Sequence, residues 1–200
     1  MNIAVFASGN GSNLQAIIDA AKSGKINAAI ALVVSDNKDA YALTRAKNAG
    51  IETFILSPKG FKSREDYDKE IIKELKKRNV ELIVLAGFMR LLSSPFVIMY
   101  KHKILNIHPA LLPSFKGTHG IKDAFEYGVK KTGVTVHFVD AELDHGPITL
   151  QEAVNIEEND TLESLEEKIH KVEHRLYPEA VRLFVDGKLK AEGRKVRILP

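Results

Sequence analysis

The sequence has no cysteine, no tryptophan and only three methionines. Lack of cysteine excludes disulfides, thiolate nucleophiles and Cys-ligated zinc or iron–sulfur sites, and agrees with a reducing cytosol. No apolar run approaches the roughly 18 residues that a membrane span requires, and no basic leader precedes the first apolar stretch, so a cytoplasmic protein without a membrane partner is expected. A strong charge of either sign is also missing. Twenty-nine Lys+Arg against 26 Asp+Glu leave +3, with both signs interspersed. That is too weak a bias to predict a nucleic-acid partner, and it suits small anionic ligands. No repeat, low-complexity tract or Pro/Gly/Ser linker divides the 200 residues, and 44% of them are hydrophobic. A single domain over 1–200 is expected, able to bury about 70% of its unfolded surface.

What the chain does contain is alternation. Ile3–Ala7 is a short apolar run that ends at Ser8-Gly9-Asn10-Gly11. Leu14, Ile17, Ile18 and Ala21 then follow at helical spacing up to Gly24. Apolar runs at 28–34, 53–56, 81–86 and 104–107 alternate with amphipathic stretches at 41–49, behind Ser63, and at 95–100, where Pro95 reads as the first helical residue after Ser94. A helix near 121–129 leads to a strand at 134–139, with 148–156 as its antiparallel neighbour. Thr161 opens a long amphipathic helix that Pro178 is expected to interrupt or kink, and a short tail follows. Apolar strands joined by amphipathic helices predict an α/β fold: a mostly parallel twisted sheet with helices on both faces and a late antiparallel strand. Ligands of such sheets lie beyond the carboxyl ends of the strands, here at 8–13, 35–37, 87–92 and 106–109 and in the loop joining the late strands.

Four segments carry candidate chemistry. In Ser8-Gly9-Asn10-Gly11-Ser12-Asn13, glycines let the backbone approach an anion at a helix N-terminus. A dinucleotide fingerprint would need glycine where Leu14 stands, although Asp36 lies near the distance of a ribose contact; one phosphate is favoured over a pyrophosphate. The bland alternative is a turn that merely starts a helix. Asn106 and His108 alternate onto one side of a strand end, where an amide N–H and an imidazole can together stabilise an oxyanion and move a proton. The bland alternative is a histidine that caps nearby backbone. Asp140-Ala141-Glu142-Leu143-Asp144-His145 is an acidic turn by itself, but a carboxylate brought beside His108 would orient the ring and favour its charged form. His170-Lys171-Val172-Glu173-His174 matches the pattern of inverted zinc peptidases, yet a catalytic zinc needs a third ligand. His102, His119 and His137 carry no independent signal.

Taken together, Gly9-Asn10-Gly11-Ser12-Asn13-Leu14-Gln15, Leu85-Ala86-Gly87-Phe88-Met89-Arg90, Leu105-Asn106-Ile107-His108-Pro109 and Asp144-x-Gly-Pro147 resemble the phosphoribosylglycinamide formyltransferases, folate-dependent enzymes of purine synthesis. The resemblance runs in order along nearly the whole chain. It implies a Rossmann-like formyltransferase fold, with a phosphate-binding half over about 1–100 and a folate-binding and catalytic half over about 101–200. It implies 10-formyltetrahydrofolate as co-substrate, no metal, small-molecule substrates only, and a monomer or homodimer. Gly11, Ser12, Asn13, Leu14 and Gln15 would take the substrate phosphate, and His170, Lys171, Val172 and Glu173 would lie along the phosphoribosylglycinamide. Arg64, Met89, Arg90, Leu91, Leu92, Asn106, Asp140, Ala141, Glu142, Leu143 and Asp144 would surround the folate. Asn106, His108 and Asp144 would be catalytic. The chain departs from the family pattern at His145, where glycine is frequent, and at Ala110, where serine is; His145 is placed to compete for Asp144.

Three alternatives accompany that reading. A tRNA formyltransferase would need a further RNA-binding domain, and 200 residues leave no room for one. A 10-formyltetrahydrofolate hydrolase would share the catalytic trio and usually carries an added regulatory domain. A non-catalytic nucleotide-binding protein gives no reason for Asn106, His108 and Asp144 to coincide.

Overall fold

The computed structural model describes all of residues 1–200. Its first half repeats strand and helix. β1 (Asn2–Phe6), α1 (Ser12–Lys22), β2 (Ala29–Ser35), α2 (Tyr41–Asn48), β3 (Thr53–Ile55), α3 (Arg64–Lys77), β4 (Val80–Leu85), α4 (Ser94–Met99) and β5 (Ile104–His108) follow one another. These first five strands are parallel, in the order β3-β2-β1-β4-β5. The direction of winding reverses between β1 and β4, and a crevice is expected at their carboxyl ends. After α5 (Gly120–Tyr127) the pattern changes. β6 (Lys131–Phe138) and β7 (Ile148–Asn155) add antiparallel neighbours to β5, and α6 (Leu162–Val185) packs back over the sheet.

The strands are apolar on both sides because both faces are covered. On one face Ile3, Val5, Leu82, Val84, Leu105 and Ile107 pack with the apolar sides of α1, α2 and α6. On the other, Ala4, Phe6, Leu32, Val34, Ile83, Leu85 and Ile104 meet α3 and α4. Tyr177 on α6 is fully buried, and its hydroxyl lies 2.9 Å from the carbonyls of both Leu85 and Leu105. That one group ties the carboxyl end of β4 to β5, two residues before Gly87 and one before Asn106.

Several expectations need correction. Ser63 caps α3 as expected, accepting the Asp66 N–H. α4, however, is capped by Ser93, so Ser94 is the first helical residue and Pro95 the second. Pro178 does not interrupt α6, which is a single 24-residue helix. The tail is not a simple extension: β8 (Leu189–Glu192) and β9 (Lys195–Ile198) form a hairpin that joins the sheet beside β7, giving nine strands in all. Gly187 and Gly193, both at positive φ, make turns on either side of β8, where Leu189 and Ala191 face the core and alternate with Lys190 and Glu192 over only four residues, too few to stand out in the sequence.

Candidate active site

The loop from Ser8 to Ser12 leaves β1 and opens α1. Gly11 takes φ +74°, and a Cβ there would stand 2.7 Å from Ala42 Cβ, so α2 packs against a position that only glycine fits. No protein acceptor lies on the N–H groups of Ser12, Asn13 or Leu14, whereas Gln15 already bonds the Gly11 carbonyl. Three free amides at a positive helix end form an anion site. Arg45 of α2 forks onto Asn10, with Nε 2.9 Å from its carbonyl and Nη2 3.0 Å from Oδ1, and so holds the loop. Leu14 is fully buried in the core, which leaves it only its backbone to offer a ligand. The place expected of Asp36 also changes: it accepts the Ser8 hydroxyl at 2.6 Å and braces the loop. Ser8 Oγ in turn accepts the Met89 N–H, and the Ser8 N–H bonds Gly87, so the first and fourth loops meet at the switch point.

α6 closes this side. Glu173 is 5% exposed, and its Oε2 accepts Asn13 Nδ2 at 3.1 Å and faces His170 Nδ1 at 2.9 Å. The bond from Glu173 holds His170 above its ordinary pKa, while burial lowers that of His174. His170 and His174 stack with parallel rings, and no third ligand joins them in a metal-holding cluster. Asn13 Oδ1 is buried without a partner, an acceptor left for a ligand. Lys171 points to solvent and Val172 packs against the core, so within the 170–173 segment only His170 and Glu173 face Asn13 and the loop.

On the other side of the crevice, Arg64 and Arg90 flank the buried carboxyl of Asp68. Burial raises its pKa, and it accepts the Ser93 N–H at 2.7 Å, pinning the 87–93 segment to α3. Arg90 lies over the Tyr67 ring, and its Nε is buried and unpaired. Met89, Leu91 and Leu143 are exposed apolar side chains. Leu92 packs against the core instead, and Ala141 and Glu142 are exposed.

Between these two sides stand the three central groups. Asn106 and His108 alternate onto one side of β5, and the Asp144 loop folds over them. Asp144 Oδ2 accepts the Gly117 N–H at 2.9 Å and lies 3.5 Å from His108 Nδ1; its Oδ1 is 3.5 Å from Asn106 Nδ2. His108 Nε2 is 2.7 Å from the Phe115 carbonyl, which can only accept, so Nε2 carries a proton. Asp144 sits at φ +46°, a conformation that its short polar side chain tolerates better than most.

One member of this cluster was not legible in the sequence. His137 pairs with Asn106 across the β5–β6 ladder, is 2% exposed, and places Nε2 3.2 Å from Asn106 Nδ2. Its Nδ1 faces the Phe138 carbonyl and so bears hydrogen, and burial pushes its pKa down. A neutral ring protonated on Nδ1 can only accept at Nε2, which fixes the NH₂ group of Asn106 toward it. Only the register of the β5–β6 ladder reveals the contact. The expected competitor, His145, turns away from Asp144 and pairs with Asp140 at 2.7 Å.

Residues 1–181 match the formyl transferase family. The phosphoribosylglycinamide formyltransferase of Escherichia coli (strain K12) is 47% identical over 190 residues, 95% of this chain and 90% of that protein. The trifunctional purine biosynthetic protein adenosine-3 of Drosophila melanogaster is 48% identical over 187 residues, 92% of this chain but 14% of that one. Among solved structures, glycinamide ribonucleotide transformylase 1 from Symbiobacterium toebii superposes with a TM-score of 0.97 at 48% identity, covering 100% of this chain and 94% of that one.

Proposed function

The chain belongs to the formyl transferase family, and on that premise we propose that it transfers the formyl group of 10-formyltetrahydrofolate to the amine of glycinamide ribonucleotide in purine biosynthesis. The observation that carries this reading is that the crevice presents both ends of such a reaction. Free amides of Ser12, Asn13 and Leu14 suit a phosphate monoester, and Asn13 Oδ1 and Glu173 offer acceptors to ribose hydroxyls. Opposite them, Arg64, Arg90 and the exposed Met89, Leu91 and Leu143 suit a flat ring with an anionic tail. The trio lies between.

Chemically, the residues supply what acyl transfer to an amine requires. Asn106 Nδ2 and the protonated His108 Nε2 donate toward the oxygen on which charge develops as the amine adds to the formyl carbon. His108 Nε2 now holds the Phe115 carbonyl, so that carbonyl yields its place to the reacting oxygen. Asp144 accepts from a proton on His108 Nδ1 and carries a proton from the attacking amine toward the departing N10. Binding both substrates in one crevice makes the transfer direct, with no covalent enzyme intermediate.

The experiment is turnover of 10-formyltetrahydrofolate by the pure protein, with and without glycinamide ribonucleotide. Tetrahydrofolate release that depends on the amine and matches formylated product one for one is expected. Release at the same rate without the amine would replace the transferase with a hydrolase.

A further inference from the structure

The C-terminal hairpin touches the loop that carries Asp144. β9 joins the sheet at one register pair, Ile148 with Lys195, where the 140–147 loop returns into β7. The preceding residue, Arg194, reaches into that loop. Its Nη2 donates to the His145 carbonyl at 2.7 Å, and its Nη1 lies nearer to His145 Nε2, at 2.8 Å, than to Nδ1, at 3.3 Å. His145 Nδ1 is also 2.7 Å from Asp140 Oδ2, while Asp140 Oδ1 accepts the Glu142 N–H at 3.0 Å.

Proton accounting gives the chain a direction. Nδ1 faces a carboxylate, which only accepts, so Nδ1 carries a hydrogen that goes to Asp140, while Nη2 donates to the His145 carbonyl and Nη1, within reach of both ring nitrogens, lies against the ring. Arg194 therefore donates to His145, and His145 donates to Asp140, linking the return of the loop to its start. Gly146 presses on the end of β6, since a Cβ there would stand 1.8 Å from the Phe138 carbonyl. Asp144 lies between these anchors in the left-handed conformation, which costs roughly 1–2 kcal/mol and persists only when its surroundings hold it.

We propose that Arg194 and His145 are positioning residues: the tail hairpin braces the 140–147 loop so that the Asp144 carboxylate stays on Gly117 and beside His108. The proposal rests on the catalytic reading of Asp144. Neither side chain bonds a side chain of the trio, so each acts through the loop.

The test is a double-mutant cycle of Arg194→Ala, His145→Ala and the pair, with His145→Gln as the conservative variant, because glutamine keeps one acceptor for Arg194 and one donor for Asp140. Two readouts are taken on the full chain: kcat and KM for 10-formyltetrahydrofolate, and amide hydrogen exchange over residues 139–147. Each single alanine variant is expected to lower kcat/KM for the folate about three- to tenfold, the scale of one net hydrogen bond, and to speed exchange in the loop similarly. His145→Ala leaves the backbone carbonyl that Arg194 holds, so the double variant should cost more than either single one but less than their sum, and His145→Gln should recover most of both readouts. Additive losses, or loop exchange unchanged in Arg194→Ala, would overturn the brace. Should the wild-type protein transfer no formyl group, the exchange cycle still decides the brace while the reaction assignment falls.

Discussion

Replacing Asp144 by asparagine changes almost no volume and removes the charge at the centre of the cluster. The carboxylate now accepts from Gly117 N–H on Oδ2 and faces Asn106 Nδ2 with Oδ1, while His108 Nδ1 stands 3.5 Å from Oδ2. Asparagine has one acceptor and one donor. If its carbonyl stays on Gly117, its NH₂ meets the NH₂ of Asn106, whose orientation His137 fixes; if it flips, the part-buried Gly117 N–H faces a donor. Either way no carboxylate remains to receive a proton from His108 Nδ1 or to carry one between amine and N10. Losing a positioned proton carrier costs about 10²- to 10⁴-fold, so kcat is expected to fall by that factor, about 2.7–5.5 kcal/mol of barrier. KM for both substrates should move by less than about fivefold, because the phosphate and ring contacts lie elsewhere. Steady-state release of tetrahydrofolate with saturating amine measures this. A kcat within about threefold of wild type would remove Asp144 from the proton path, and a loss confined to KM for the folate would make it a binding residue only.

Other expected outcomes concern the frame around the trio. Gly11→Ala should lose about 2–5 kcal/mol from left-handed strain and overlap with Ala42, lowering Tm by at least about 4 °C and raising KM for glycinamide ribonucleotide; an unchanged Tm would contradict the packing at α2. Tyr177→Phe leaves the carbonyls of Leu85 and Leu105 without their buried donor and should cost about 1–3 kcal/mol in urea unfolding; a neutral result would mean that water replaces the hydroxyl. His137 contributes a pH dependence of known sign. Burial lowers its pKa below 6.5, so on acidification the unfolded chain binds the proton first and stability falls as pH drops below about 6.5. His137→Gln, which cannot titrate, should flatten unfolding free energy against pH between about 6.5 and 5 by up to about 1.4 kcal/mol per unit. Equal slopes in the two proteins would show that burial does not shift the His137 pKa.

Much of the site was legible because chain alternation and strand ends are local properties. The glycines before α1 announce a helix N-terminus, and they lie there with three amides free. Asn106 and His108 fall two residues apart at a strand end, so their shared side follows from the pleat. The side chains of Leu14 and Val172 turn inward, because a motif covers consecutive residues while a helix turns about 100° per residue and sends some of their side chains into the core; Leu14 keeps its backbone amide at the loop. His145 was misplaced for a similar reason, since adjacency in sequence to Asp144 does not survive a residue at positive φ.

By itself, the sequence determined the element order as far as α6, the parallel half of the sheet and the strand-end loops that form the crevice, because these follow from hydrophobic period and from glycine and proline chemistry. Tertiary structure alone decided which distant groups meet. The β5–β6 register set His137 against Asn106, the fold of α6 carried Glu173 to Asn13 and Tyr177 to the carboxyl end of β4 and to β5, and the tail hairpin brought Arg194 to His145. Each of those contacts joins residues 31 or more positions apart. Local propensity says nothing about such distances; they are set by packing two cores on one twisted sheet, and the chemistry depends on them.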